Sequence, residues 1–209
     1  MNLTNINADL WVFDNDGTLY PNTQKIKTAV ESLMVDFIAK EYTLSRENAI
    51  RYRQRLLDKY NTKYTAVAIK SEGVAVSRFI RETYLRVNPR ECGMYESPEL
   101  QRLLSTLGGK KVVLTNNPAK FAQSILQALG INAFFSKIIG MEEIGFIQKP
   151  DKRVFSFLKK YLQSGKKVVV IDDVPANTSI AKELGCFSIL VGNKPAEKGF
   201  YDLRVRSLV

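Results

Sequence analysis

The sequence predicts an α/β fold: a parallel sheet with helices on both faces, interrupted by an inserted helical domain. Three observations carry the prediction. Short apolar runs recur without the polar alternation of a half-exposed strand, stretches of helical periodicity separate them, and one long segment near the start holds helical spacing but no strand run.

The first run is Leu10 to Phe13, which leads into Asp14-Asn15-Asp16-Gly17-Thr18, a set of ordinary turn formers. Residues 22–92 break the strand rhythm. There Val30, Leu33, Met34, Phe37 and Ile38, then Ile50, Leu56 and Leu57, fall at helix-like spacings, and NPRECG and Pro98 mark the end of the insert. The expected division is therefore 1–21 with 93–209 as an α/β core, and 22–92 as a helical cap. A second run, Val112 to Leu114, precedes NNPAKFAQSILQALG. That stretch offers Asn117 as N-cap, Pro118 at the first helical position, apolar Phe121, Ile125, Leu126 and Leu129 on one face, and Gly130 as the stop. After the short run Ile138 to Ile139, KPDKR and RVFSFLKKYL repeat the helical logic with Val154, Phe155, Leu158 and Leu162. Val168 to Ile171 and Ser188 to Val191 complete five expected strands.

Composition narrows the function classes. A chain of 209 residues with 45% hydrophobic content can bury one substantial core and carry a smaller insert. No segment reaches the roughly 18 apolar residues of a membrane span, and MNLTNINADL lacks the regions of a signal peptide, so a soluble cytoplasmic protein is expected. Cys92 and Cys186 show no metal or redox spacing, which suits a reducing compartment better than a structural disulfide. The absence of histidine excludes imidazole as base, nucleophile or zinc ligand. A formal charge of +10 favours anionic partners, although a solvated Lys and Arg surface accounts for it without nucleic acid.

In an open parallel sheet, ligands bind beyond the carboxyl ends of the strands, where the winding reverses. The first strand ends in Asp14-Asn15-Asp16, the second in Thr115-Asn116-Asn117, and KVVVIDD in Asp172-Asp173, while Lys149 lies between the third and fourth strands. If these ends share one face, four carboxylates, a hydroxyl and one ammonium converge, and the repulsion calls for a cation. Mg²⁺ suits all-oxygen ligands and keeps waters that a phosphate can replace. A calcium-binding EF-hand does not fit, because Gly17 is fourth and Lys25 twelfth when counted from Asp14.

DNDGT, Thr115, Lys149-Pro150 and Asp172-Asp173 occur in that order, and through them the chain resembles the haloacid dehalogenase-like phosphatase superfamily. The resemblance spans the whole chain. It implies a Rossmann-like core, with residues 22–92 at the position of that superfamily's helical cap. More loosely, KYNTKYTAV resembles the pyrimidine 5′-nucleotidase branch, with Tyr60-Asn61-Thr62-Lys63 where a Tyr-Gly-Thr-Thr pattern is usual. The implied activity is a Mg²⁺-dependent phosphomonoester hydrolase acting on a small phosphorylated metabolite, with a nucleoside 5′-monophosphate as a candidate. A phosphomutase on the same scaffold and a non-catalytic binding protein are the rivals. A halide-releasing relative is disfavoured, since displacement at carbon needs neither an acid at Asp16 nor a metal carboxylate cluster.

The resemblance also implies roles. Asp14 would attack phosphorus and form an aspartyl-phosphate. Asp16 would protonate the leaving oxygen and then deprotonate the hydrolytic water, while its main-chain carbonyl would face the metal. Thr115 and the backbone amide of Asn116 would hold nonbridging oxygens, and Lys149 would offset the charge between Asp14 and the phosphoryl group. Asp14 and Asp173 would ligate the metal directly, with Asp172 and Asn177 acting through water or by orienting ligands. Gly17 and Thr18 would shape the turn. In the cap, Tyr60 and Lys63 are the candidates for substrate specificity, with Lys59, Tyr64, Lys70 and Arg78 as further possible contacts. Each position has a plainer alternative: turn formation for Asp14 and Asp16, helix capping for Asp172 and Asp173, and a solvated face for the cap lysines.

Overall fold

The computed structural model describes residues 3–21, 24–197 and 199–209. Asn22, where the insert is expected to begin, lies outside the described residues. The chain divides into two compact units, Met1–Asn22 with Met94–Val209, and Thr23–Gly93.

The first unit is built on a sheet of six parallel strands: β1 Leu10–Phe13, β2 Lys110–Leu114, β3 Lys137–Ile139, β4 Val168–Asp172, β5 Phe187–Val191 and β6 Leu203–Val205. Their order is β3-β2-β1-β4-β5-β6. β1 therefore lies between β2 and β4, with Val12 in register with Val112 on one side and Val170 on the other. The chain winds outward from β1 through β2 to β3, then crosses to β4 and winds the other way. That reversal beside β1 is where such sheets bind ligands.

All four residues of β1 are buried, which explains a run with no polar alternation. Leu10 and Val12 join Val112, Leu114, Val168, Val170, Phe155 and Leu158 in one core layer. The alternate residues Trp11 and Phe13 stack with centroids 6.3 Å apart, and the Trp11 indole donates to the Gly108 carbonyl at 2.8 Å.

In the second unit, α1 Gln24–Glu41, α2 Arg46–Lys59, α3 Thr65–Ser71 and α4 Val76–Glu82 make the insert helical. Val30, Met34, Phe37 and Ile38 face its core from α1, where Phe37 meets Phe79 edge-on at 5.0 Å. Ile50 departs from the helical pattern and is 53% exposed. Both cysteines are buried and free. No helix among the described residues is long and apolar enough to cross a membrane.

The first unit carries α5 Pro98–Thr106, α6 Ala119–Ala128, α7 Lys159–Gln163 and α8 Pro175–Glu183. Three expectations need correction. β6 is a sixth strand, only half-buried at the sheet edge, with Arg204 between two apolar residues and so no buried run to announce it. RVFSFLKKYL is not one α-helix: Lys152–Leu158 is 3₁₀, entered through Asp151, and only α7 continues as α. Asn117 does not cap α6. Pro118 holds that position, the Ala119 amide donates to Glu142 at 3.1 Å, and the Asn117 side chain is used elsewhere.

Candidate active site

The strand register brings the loop after β1 beside the end of β4. The Asp14 amide extends the ladder by donating to Ile171 at 2.9 Å, which fixes the backbone from which its carboxylate projects. The loop then closes on itself, the Gly17 amide donating to the Tyr20 carbonyl at 2.9 Å. Gly17 has φ +81°, and a Cβ there would lie 2.5 Å from Asp173 Oδ2. Only glycine satisfies both the backbone conformation and the close approach.

Lys149 crosses to the centre of the site. Its ammonium reaches Asp14 Oδ1 at 2.6 Å and Asp172 Oδ2 at 2.7 Å, and the residue is 6% exposed. The Asn116 side chain holds the Lys149 backbone at two points: its oxygen accepts from the Lys149 amide at 2.9 Å, and its nitrogen donates to the Lys149 carbonyl at 3.3 Å. Asp172 is saturated. Besides Lys149, its oxygens accept from Asn177 Nδ2 at 2.9 Å each, and Oδ1 accepts from the Val174 amide at 2.9 Å. Asp173 instead pairs with the exposed Lys194 through Oδ2.

Asp14, Asp172 and Asp173 each offer an oxygen within 4.8 Å of the others. Adding Asp16, four carboxylates face two ammonium groups, so two formal negative charges remain if all are ionised. Burial drives the Asp14 carboxyl well above its usual range, the neighbouring Asp172 and Asp16 add to the rise, and Lys149 opposes it. Burial likewise raises Asp16. For Lys149, burial works against the charge, but Asp14 and Asp172 outweigh it and the ammonium is held more firmly than usual. Burial is the first cause of both rises, and the charge deficit rests on the count of four carboxylates to two ammonium groups. The hard, all-oxygen donors of this cluster fit Mg²⁺.

Asp16 Oδ1 accepts from the Tyr20 hydroxyl, and Oδ2 from Asn117 Nδ2 at 2.6 Å. The buried Thr115 accepts the Asn117 amide at 3.1 Å through Oγ1, an arrangement that turns its own hydroxyl proton away from that amide. Asp14, Asp172 and Lys149 thus meet directly, Asp173 lies within the same carboxylate group, and Asn117 links Asp16 to Thr115. Thr18 is buried in the loop, and its hydroxyl has no partner among the described residues.

The cap candidates sit in the second unit. The Tyr60 hydroxyl donates to Glu72 at 2.6 Å, and Lys59 pairs with the same carboxylate at 2.7 Å. Arg78 bridges Glu41 and Glu82. Lys63 is exposed in the turn between α2 and α3. Tyr20, Lys194 and the side-chain roles of Asn116 and Asn117 escaped the sequence reading. Tyr20 and Lys194 carry no local signal, since one reads as a core aromatic and the other as a solvated lysine in GNKPAEK.

The haloacid dehalogenase-like hydrolase family model matches residues 8–185. A phosphoglycolate phosphatase of Aquifex aeolicus (strain VF5) is 22% identical over 183 residues, covering 83% of this chain and 80% of that protein. Another from Vibrio cholerae is 32% identical over 77 residues, which is 36% of this chain and 34% of that protein. Among solved structures, an HAD phosphatase from Thermococcus onnurineus superposes with a TM-score of 0.63 at 17% identity, covering 97% of this chain and 94% of its own. The L-2-haloacid dehalogenase from Xanthobacter autotrophicus gives a TM-score of 0.53 at 15% identity, covering 96% and 95%. At such identities these superpositions speak for the fold, which phosphatases and dehalogenases share. With the family model spanning both the β1 loop and the end of β4, the chain belongs to the haloacid dehalogenase-like hydrolases.

Proposed function

We propose that the chain is a Mg²⁺-dependent phosphomonoester hydrolase working through an aspartyl-phosphate on Asp14. One observation carries the reading: Asp14 is tied to Lys149 within a three-carboxylate group, with a further carboxyl, Asp16, two residues on. A dehalogenase needs the first aspartate but not this assembly, so the residues favour phosphoryl chemistry over halide release.

Lys149 takes Asp14 Oδ1 and leaves Oδ2 to attack phosphorus. As that bond forms, the bond to the leaving oxygen breaks and Asp16 supplies the proton. Water then attacks phosphorus and gives its proton to Asp16, and the Asp14 carboxylate is released. Thr115 and the Asn116 backbone amide would hold nonbridging oxygens, and Lys149 offsets their charge. Asp14, Asp173 and the Asp16 carbonyl would hold Mg²⁺, with Asp172, saturated by its own hydrogen bonds, acting by orienting Lys149. The ion would supply charge neutralisation between Asp14 and an incoming phosphate.

The substrate is a small phosphorylated metabolite. The names of the phosphoglycolate phosphatase relatives favour a phosphorylated acid, and the KYNTKYTAV resemblance favours a nucleoside 5′-monophosphate. The test is phosphate release from phosphoglycolate, a nucleoside 5′-monophosphate and p-nitrophenyl phosphate, with Mg²⁺ and with excess chelator. Turnover that needs Mg²⁺ and disappears in Asp14→Asn is expected, and undiminished turnover in chelator would overturn the metal dependence. If exposed Lys63 meets the leaving group, Lys63→Thr should shift the ratio of kcat/KM between the acid and the nucleotide about several-fold. An unchanged ratio would leave Lys63 as solvated surface.

A further inference from the structure

Asp16 differs from the other carboxylates of the site in what holds it. Asp14 and Asp172 share the Lys149 ammonium, and Asp173 faces Lys194. Both oxygens of Asp16 are instead engaged by neutral donors, the Tyr20 hydroxyl on Oδ1 and the Asn117 amide on Oδ2. A cation would bind the ionised carboxylate selectively. Two hydrogen bonds, one on each oxygen, instead fix the plane and direction of the group.

The two donors are themselves held in place. Tyr20 is 4% exposed, and its carbonyl accepts from Gly17 across the loop. The Asn117 backbone amide donates to Thr115 Oγ1 at 3.1 Å, and its backbone carbonyl accepts from the Met141 amide at 3.0 Å. Gly140 lets this happen, because a Cβ there would stand 2.3 Å from the Ala119 nitrogen and 2.8 Å from the Asn117 oxygen. Asn117 stands one residue before the N-cap Pro118, and the first helical amide, that of Ala119, donates to Glu142 at 3.1 Å, so the helix start makes no use of the Asn117 side chain, which turns to Asp16.

We propose that Tyr20 and Asn117 are positioning residues that hold the Asp16 carboxyl on the line of the leaving-group oxygen. This rests on the reading of Asp16 as general acid and base. In the first step the Asp14–phosphorus bond forms, the bond from phosphorus to the leaving oxygen breaks with its electron pair on oxygen, and that oxygen takes the Asp16 proton. In the second, water attacks phosphorus and returns a proton to Asp16, while the Asp14–phosphorus bond breaks with its pair on the carboxylate. A carboxyl free to rotate would meet the leaving oxygen in a smaller fraction of encounters.

Leaving-group dependence separates positioning from a merely structural role. kcat/KM reports only the steps through departure of the leaving group, and p-nitrophenolate departs without a proton whereas an alkoxide does not. Measured on the full chain with Mg²⁺, Tyr20→Phe and Asn117→Ala should each lower kcat/KM for an alkyl phosphate at least about tenfold, and that for p-nitrophenyl phosphate less than about twofold. Equal losses on both substrates, or none on the alkyl phosphate, would overturn the proposal, and two variants are used so that a folding failure in one leaves the other informative. Asp16→Asn in the same assay is the control. If Asp16→Asn shows the selective loss and the other two do not, the positioning role fails and the acid role stands. If Asp16→Asn retains its alkyl-phosphate rate, the acid role fails and the inference with it.

Discussion

Between the two carboxylates of the β1 loop lies Asn15, fully buried, with neither its amide oxygen nor its nitrogen partnered among the described residues. An unsatisfied buried amide costs about 1–3 kcal/mol. Asn15→Leu removes it at similar volume, and the melting temperature should rise by about 2–4 °C. A fall would show that the amide has a partner in solution. Gly17→Ala tests the opposite kind of fit: its Cβ would press on Asp173, so Mn²⁺ binding followed by titration should weaken while α-helix content stays constant. Asp14→Asn should reduce turnover by about a thousandfold or more with little change in melting temperature, because it deletes the attacking oxygen and keeps the shape.

At the scale of elements, the sixth strand shows how an edge is attached. Asp202, just before β6, accepts from the Ser188 amide at 2.8 Å and its hydroxyl at 3.1 Å, and pairs with Lys182 at 2.9 Å. Burial alone would raise this carboxyl, but the Ser188 hydrogen bonds and Lys182 outweigh it and hold it below its ordinary 3.8. A carboxyl depressed in the folded state stabilises above its unfolded value, and that stability is lost as pH falls through the folded value. Asp202→Asn should therefore cost about 1 kcal/mol near pH 7, discounted for its solvent exposure, and the gap to the parent protein should close as pH drops below 3.8. Thermal melts from pH 7 to 3 read this directly, and a constant gap would assign the effect to packing. Such an attachment is invisible in sequence, because Asp202 and Ser188 are brought together only by sheet order. The buried strands were legible for the opposite reason: LWVF and VVVI must be apolar on both faces, so composition alone reveals them. RVFSFLKKYL pointed to the buried Val154, Phe155 and Leu158 and to Leu162, which is only half-buried, but to the wrong helix type, because an i, i+3 spacing such as Phe155 to Leu158 fits a 3₁₀ turn as well as an α turn.

For the molecule as a whole, the excess of carboxylate over ammonium in the site predicts a stability that depends on a divalent ion. Mg²⁺ at about 100 times its dissociation constant should add about 2.7 kcal/mol, or about 5–10 °C in the melting of the unit that carries the sheet, reversed by chelator. No shift with Mg²⁺ would mean that Lys149 and Lys194 already meet the charge requirement. The sequence by itself pointed to the first five parallel strands, the helical insert and the candidates Asp14, Asp16, Thr115, Lys149, Asp172 and Asp173, because strand ends and turn chemistry are local properties of the chain. Tertiary structure alone decided that one ammonium serves both Asp14 and Asp172, that Lys194 reaches Asp173, and that Tyr20 and Asn117 hold Asp16. Those pairings join residues up to 135 positions apart in the chain. Apart from Tyr20 and Asp16, four residues apart in the β1 loop, their distances are set by how the strands order around β1, a relation that no local pattern of residues records.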